Sequence, residues 1–432
     1  MDFTSTRDSG LKASVVEALQ AGLAPDGGLY VPTTLPRFDP SGFRAEISLP
    51  ECATDVLAPF FDGSLLAERL DAICRDALDL PLPIKLTDRD TPTWMMELFH
   101  GPTAAFKDFA ARFLARSLGA LHHDTAGPRT VLVATSGDTG AAVAAAFHRQ
   151  PGFRVVILYP EGRVSGRQAH QLGAFGDNVR AFCVQGGFDD CQRLTKQALG
   201  DRELVRRHGL TSANSISIGR LLPQISYYAL AAVRLRAGGP IDVVVPTGNL
   251  GNALACILAR DMGFPIRRVY LATNANRTLP EYFAGAEYRG RAGLKTLANA
   301  MDVGDPSNFE RLAWFYRDTN PREAGIHAES IDDDAIRACI KREYQHHDRI
   351  VCPHTACALE LLTRLRADGH RQPTLIAATA HPAKFETVIE PIIGRKIPLP
   401  PALDELLQRP SHADPLAPDL EALQHELAAI DR

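Results

Sequence analysis

Residues 131–147 read VLVATSGDTGAAVAAAF. The apolar run Val131-Leu132-Val133-Ala134 enters a small, polar stretch, Ser136-Gly137-Asp138-Thr139-Gly140, and an alanine-rich, helix-prone run follows. A short apolar run of this kind has the length of a buried strand, so the segment predicts a strand, a tight turn and a helix in succession. The same order recurs at Val243-Val244-Val245, followed by Thr247-Gly248-Asn249-Leu250-Gly251-Asn252 and then ALACILARDMG. Further buried-strand candidates lie at 155–158, 180–184, 269–271 and 375–377. Short apolar strands alternating with helices predict an α/β fold with mostly parallel sheets.

Both turns deliver backbone N–H groups to the start of a helix, where the helix dipole adds partial positive charge, so each suits an anion. Glycine lets the backbone approach a phosphate that a side chain would hold off. A tight strand-to-helix connection without a ligand has the same pattern, but two in one chain favour the anion. Neither turn is a nucleotide fingerprint: no GxxxxGK[ST] occurs, and no GxGxxG follows a strand. The phosphate therefore belongs to something other than a nucleoside triphosphate or a dinucleotide.

On either side of these units the chain punctuates differently. Leu11, Val15, Leu19 and Leu23 make one apolar helical face, then Pro25-Asp26-Gly27-Gly28 precedes a short strand at Leu29-Tyr30-Val31. Helical stretches are expected around 51–60 and 64–78. Leu420, Leu423, Leu427 and Ile430 form a last helical face, and 398–418 reads as an extended, proline-rich connection before it.

Composition bounds the function. The 432 residues suggest about three domains. With 47 basic and 51 acidic side chains the net charge is −4, so no positive excess exists to neutralise a nucleic acid. A hydrophobic content of 45% favours a packed core over long disorder. No apolar run is long enough for a membrane span. The opening MDFTSTRDSGLK has no signal-peptide core, so a cytoplasmic protein is expected. The eight cysteines contain no CxxC pair, which predicts buried, inert thiols in a reducing compartment and no metal site.

Lysine is scarce, with eight in the chain. Lys107 lies between Phe106 and Phe109 in an apolar stretch. A desolvated lysine has a lowered pKa and serves as a nucleophilic amine. The same residue also reads as a helix-surface lysine beside Asp108. Ser136 and Ser215 lack a GxSxG setting, which argues against a hydrolase. The pairs His122-His123 and His346-His347, together with His354 and His381, read as surface or capping residues.

Several segments are specific in combination. GLAPDGGLYVP, ELFHGPTAAFKDFAARF, VATSGDTGAAVAAAF, NSISIGRLLPQISYYA, VVVPTGNLGNALA, ATNAN, LANAMDVGDPSNFER and ATAHPAKF run in order from about residue 22 to 386. Together they resemble the threonine synthase family, in its longer branch with an N-terminal extension. The resemblance implies a tryptophan-synthase-β-like fold (fold type II of the pyridoxal-phosphate enzymes). It implies pyridoxal phosphate as cofactor and conversion of O-phospho-L-homoserine and water into L-threonine and phosphate. By the same resemblance, Lys107 carries the cofactor, and Gly248, Asn249, Leu250, Gly251 and Asn252 cradle its phosphate. Thr379 faces its ring nitrogen, and Ser136, Asp138 and Thr139 line the amino-acid end of the substrate. Arg220, with Arg163 second, is the candidate for the substrate phosphate, because arginine binds phosphate bidentately; a structural ion pair is the competing reading of Arg220.

Two positions depart from the family pattern: GNLGN stands where GNFGD is common, and Arg163 stands where lysine is common. The implied layout is an N-terminal region at 1–95, a large α/β domain at 96–119 and 209–432, and a small α/β domain at 120–208. Another fold member, such as a threonine dehydratase or cysteine synthase, stays open on the residues alone. So do a related lyase acting on another phospho-amino acid and a cofactor-binding regulatory protein.

Overall fold

The structure, a computed structural model, describes residues 1–122 and 127–430; His123 of the His122-His123 pair lies outside them. The strands in chain order are β1 (Phe3–Ser5), β2 (Tyr30–Pro32), β3 (Ile84–Asp88), β4 (Thr93–Glu97), β5 (Arg129–Ala134), β6 (Phe153–Pro160) and β7 (Val179–Val184). They continue with β8 (Leu210–Ser212), β9 (Ile241–Pro246), β10 (Ile266–Thr273), β11 (Ile326–Ser330), β12 (Thr374–Ala378) and β13 (Asp414–Leu416). Each strand expected from an apolar run is present.

Two main sheets result. One runs β11-β10-β9-β12-β4-β3 and the other β13-β7-β6-β5-β8. Every pairing in them is parallel except the β3–β4 hairpin at the edge of the larger sheet. Helices cover both faces, so β9 and β12 are buried along their whole length. That burial is why their sequences run apolar without alternation.

The N-terminal region has no core of its own. The helix Leu49–Phe61 starts on a capping box, Ser48 with Glu51, and buries Val56, Leu57, Phe60 and Phe61. It packs on the long helix Ile218–Leu235, which is buried nearly throughout. One apolar cluster therefore runs from Phe3 through Phe61 and Tyr227 to Val245.

Two expectations need correction. The stretch 398–418 is not simply extended: Pro401–Gln408 is a helix with proline at its first position, where the missing N–H costs nothing. The sequence reading also carries the large α/β domain through to 432, yet β13 pairs in parallel with β7 of the smaller sheet. Leu423 and Leu427 of the final helix then pack with Leu158, Phe182 and Val184 of that same sheet. An apolar helical face needs an apolar surface, and the open side of the five-stranded sheet provides it. Among the described residues, no helix is long and apolar enough to cross a membrane. All eight cysteines are free, and only Cys183 is less than fully buried; burial raises thiols such as Cys52, to about 12.

Candidate active site

The carboxyl ends of β5, β9 and β12 point at one cleft, where ligands of open parallel sheets are bound. Lys107, Ser136, Asp138, Thr139, Arg220, the 247–252 loop, His354 and Thr379 all line it.

Lys107 is the first residue of the helix Lys107–Leu121. Its approach loop is sewn to the segment after β12. The Phe106 N–H donates to the Thr379 carbonyl at 2.8 Å, and the His381 N–H donates to the Ala104 carbonyl at 3.0 Å. Lysine and threonine thus enter the cleft side by side. The Lys107 side chain is 15% exposed. Burial lowers its amine to about 8, with Lys384 and Arg220 adding to the effect and Asp138 opposing it. The alternative of an ordinary surface lysine is excluded.

Asp138 opens the helix Asp138–Phe147 and is buried. Its Oδ2 lies 4.0 Å from Lys107 Nζ, while its Oδ1 accepts from Lys384 Nζ at 2.8 Å and from Gln168 Nε2 at 3.0 Å. Burial alone would raise this carboxyl, but Lys384, Lys107 and His354 hold it well below the usual range. The preceding turn is pinned by Thr135, whose hydroxyl oxygen accepts from the N–H groups of Gly137 at 2.9 Å and Gly140 at 2.8 Å. Gly137 has a φ of 129°, which explains the glycine there.

The 247–252 loop is a cradle. A Cβ on Gly248 would sit 2.6 Å from Met301 Cα. Leu250 takes the left-handed conformation, φ 64°, just ahead of the helix Gly251–Asp261, whose first-turn N–H groups have no intrahelical acceptor. Asn308 Nδ2 donates to the Asn249 carbonyl at 3.1 Å and to the Ser215 carbonyl at 3.3 Å. Asn308 Oδ1 in turn accepts from Arg311, whose other N–H groups reach the carbonyls of Tyr30 and Ile216.

Both family departures in this loop find physical reasons. Leu250 is fully buried and belongs to the apolar cluster. The Asn252 Oδ1 accepts from Tyr227 at 2.6 Å and Tyr228 at 3.0 Å, leaving its Nδ2 a buried donor without a partner.

Arg220 is 3% exposed. Its Nη1 donates to the Ala213 carbonyl at 2.7 Å, and its Nε has no partner. Burial brings its pKa down to about 10, so the group remains cationic through neutral pH. No carboxylate pairs with it among the described residues, which removes the structural ion pair as its explanation. Arg163 is a different case: it is exposed and lines an adjoining pocket, which meets the cleft at Ser136, with Lys295, Asn299 and Asp302. The structure does not bring Arg163 into the cleft of Lys107.

Three contributors were not singled out from sequence. His354 is no surface residue: its Nε2 accepts from the Ala300 N–H, its Nδ1 is unpartnered, and burial lowers it to about 4. Lys384 lies buried beside Asp138, and Arg311 braces the loop. Signals existed for the last two: Lys384 stands in ATAHPAKF and Arg311 in DPSNFER, both among the family-like segments.

The cleft fits pyridoxal phosphate. Lys107 supplies an amine whose pKa is lowered to about 8, and the hydroxyl residue Thr379 lines the cleft beside it. The cradle at Gly248 to Asn252, with the free Asn252 Nδ2, suits the phosphate. The unpartnered Arg220 Nε is a further buried donor for an anion.

The comparisons with known proteins agree. A family model described as pyridoxal-phosphate dependent enzyme matches residues 82–379. Models of the threonine synthase N terminus and C-terminal region match 2–78 and 355–426. The threonine synthase of Haemophilus influenzae is 38% identical over 416 residues, covering 94% of this chain and 95% of that protein. The crystal structure of Escherichia coli threonine synthase superposes with a TM-score of 0.92 at 36% identity, covering 99% of this chain and 100% of that one. A pyridoxal-phosphate-bound threonine synthase from Brucella melitensis superposes with a TM-score of 0.90 at 33% identity, covering 100% of both chains.

Proposed function

The chain belongs to the threonine synthase family, and from that membership we infer that it converts O-phospho-L-homoserine and water into L-threonine and phosphate. It is a pyridoxal-phosphate-dependent lyase acting on a small molecule. The observation that supports the substrate assignment most directly is the pairing, in one cleft, of Lys107 with an uncommitted, buried Arg220.

Lys107 would hold the cofactor, the 248–252 loop its phosphate and Thr379 its ring nitrogen. When bound, pyridoxal phosphate supplies the electron sink for carbanionic charge on the substrate. Once substrate has taken its place, the Lys107 amine is free near the substrate carbons. An amine with a pKa of about 8 can take one proton from Cα and one from Cβ near neutral pH, then deliver one to Cγ, which becomes the methyl carbon, and one to Cα. Departure of phosphate from Cγ needs a cation at that end, and Arg220 is the candidate. Ser136, Asp138 and Thr139 would meet the amino-acid end. Water then adds at Cβ, giving threonine. A neutral Thr379, unlike a carboxylate, does not enforce a proton on the ring nitrogen, which moderates how far charge spreads into it. The free thiols support a reducing, cytoplasmic setting.

The test is direct. Purified protein loaded with pyridoxal phosphate should release inorganic phosphate and form threonine from O-phospho-L-homoserine. Lys107→Ala should lose both the visible absorbance of the lysine-bound cofactor and turnover. Turnover of threonine or O-acetylserine in place of phosphohomoserine would overturn the assignment.

A further inference from the structure

Six of the eight lysines are exposed; only Lys107 and Lys384 are not. Lys384 has no exposed surface at all, in the short turn Pro382–Phe385. A buried ammonium persists only where its donors are satisfied and its charge is balanced. Here Nζ donates to the Thr103 carbonyl at 2.8 Å and to Asp138 Oδ1 at 2.8 Å. The Thr103 contact ties Lys384 to the loop that leads into Lys107, and the Asp138 contact ties it to the other sheet.

The division of Asp138 between its two oxygens is informative. Oδ1 is taken by Lys384 and Gln168, which turns Oδ2 toward Lys107 at 4.0 Å, too far for a hydrogen bond. Without Lys384, the carboxylate would lose the cation that holds its Oδ1, and it would turn to close its 4.0 Å contact with Lys107 into a hydrogen-bonded ion pair.

We propose that Lys384 is a positioning residue that holds Asp138 as a fixed, charge-balanced carboxylate, so that Lys107 is not trapped as its counter-ion. This rests on the reading that Lys107 carries the cofactor. The Asp138–Lys384 pair is neutral as a unit, so the site stays balanced whether the Lys107 nitrogen is charged or engaged. The charged and titratable groups around Lys107 are consistent with this. Asp138 faces it from the helix Asp138–Phe147, Lys384 from the 382–385 turn, Arg220 from the helix Ile218–Leu235 and His354 from the helix Pro353–Ala367. His354, at about 4, is uncharged near neutral pH. Asp108, next along the chain, is occupied by the Thr103 N–H and hydroxyl.

The experiment measures the pH at which Lys107 of the full-length, cofactor-free chain becomes half-reactive toward an amine-directed acylating reagent, read by peptide mass spectrometry. The kcat–pH profile of the loaded enzyme runs in parallel. Lys384→Met should move the half-reactive pH upward by about one unit or more, about tenfold less reactive amine at neutral pH. Asp138→Asn should move it downward, and the double variant should return it toward the wild-type value. Lys384→Arg, which keeps the charge, should leave it near wild type. A merely structural lysine would lower thermal stability in both single variants without opposite shifts. Coincident titrations of wild type and Lys384→Met, or shifts of both single variants in one direction, overturn the proposal. Should Lys384→Met fail to fold, an unmoved Asp138→Asn titration overturns it equally. Failure of the cofactor reading looks different, since Lys107→Ala would then keep its visible absorbance.

Discussion

Replacing Arg220 by methionine should cost this enzyme its grip on the phosphate of its substrate while sparing its grip on the cofactor. Methionine roughly keeps the volume and removes the charge and all five donors. The guanidinium is already held on one side, Nη1 to the Ala213 carbonyl at 2.7 Å, which leaves the Nε edge for a ligand. A phosphate on that edge accepts two charge-assisted bonds, each worth about 1.5–3 kcal/mol. Taking the lower value for both gives about 3 kcal/mol, or about 150-fold in kcat/KM. Since the arginine remains cationic up to about pH 10 and a phosphate monoester is dianionic well above its second pKa of about 6, the loss should be constant from pH 7 to 9. Arg220→Lys should recover part of it, because the charge is restored and the planar fork is not. The assay is continuous phosphate release from O-phospho-L-homoserine, with a cofactor titration by visible absorbance in parallel. Cofactor affinity should stay within about threefold, as the 248–252 cradle does not touch this side chain in the hydrogen-bond network. A variant whose kcat/KM stays within about threefold of wild type refutes the reasoning, and so does one in which cofactor and substrate affinities fall together.

Three further outcomes follow from the same geometry. Gly248→Ala should weaken cofactor binding about tenfold in an absorbance titration, because the new Cβ would lie 2.6 Å from Met301 Cα, a backbone atom that cannot simply swing away. Lys107→Met should stabilise the cofactor-free protein by about 3 kcal/mol at pH 7. The folded amine, lowered from 10.5 to about 8, resists a proton that the unfolded chain accepts. The wild-type deficit is therefore complete below pH 8, shrinks as pH rises and vanishes above 10.5, which denaturant titrations at several pH values would show. In native buffer, one thiol, Cys183, should react with a thiol reagent, slowly because partial burial raises its pKa, and all eight should react after unfolding, since the other seven are buried.

The fold was legible where burial is complete. β9 and β12, and the inner parts of β5, β6 and β10, are apolar because both their faces are covered, and such runs announce themselves. β3 was missed because its burial is partial and its residues mixed, Ile84-Lys85-Leu86-Thr87-Asp88. β8 and β13, three residues each, carry too little pattern to stand out. The docking of 414–430 on the smaller sheet was missed for another reason. Periodicity predicts that Leu423 and Leu427 need a partner surface, but not which of two sheets offers it.

The same limit governs the site. Lys107, the 248–252 loop and Thr379 could be singled out because each sits in a segment whose residue order is itself distinctive, and the fold brings them to one cleft. Arg163 and Arg220 looked alike in sequence, both arginines in family-like segments, and only burial separates them. One is exposed in an adjoining pocket, and the other is 3% exposed with a free Nε. Lys384 was invisible as a functional residue because a lysine in sequence carries a charge but no partner. Its meaning comes from a contact across the cleft between segments 246 positions apart, Asp138 on one sheet and Lys384 after the other. A buried ion pair is weak support for stability, so its presence at this spot needs a reason other than holding the sheets together. The 4.0 Å gap between Asp138 and Lys107 supplies one: a carboxylate close enough to tune the amine, and too firmly engaged elsewhere to capture it.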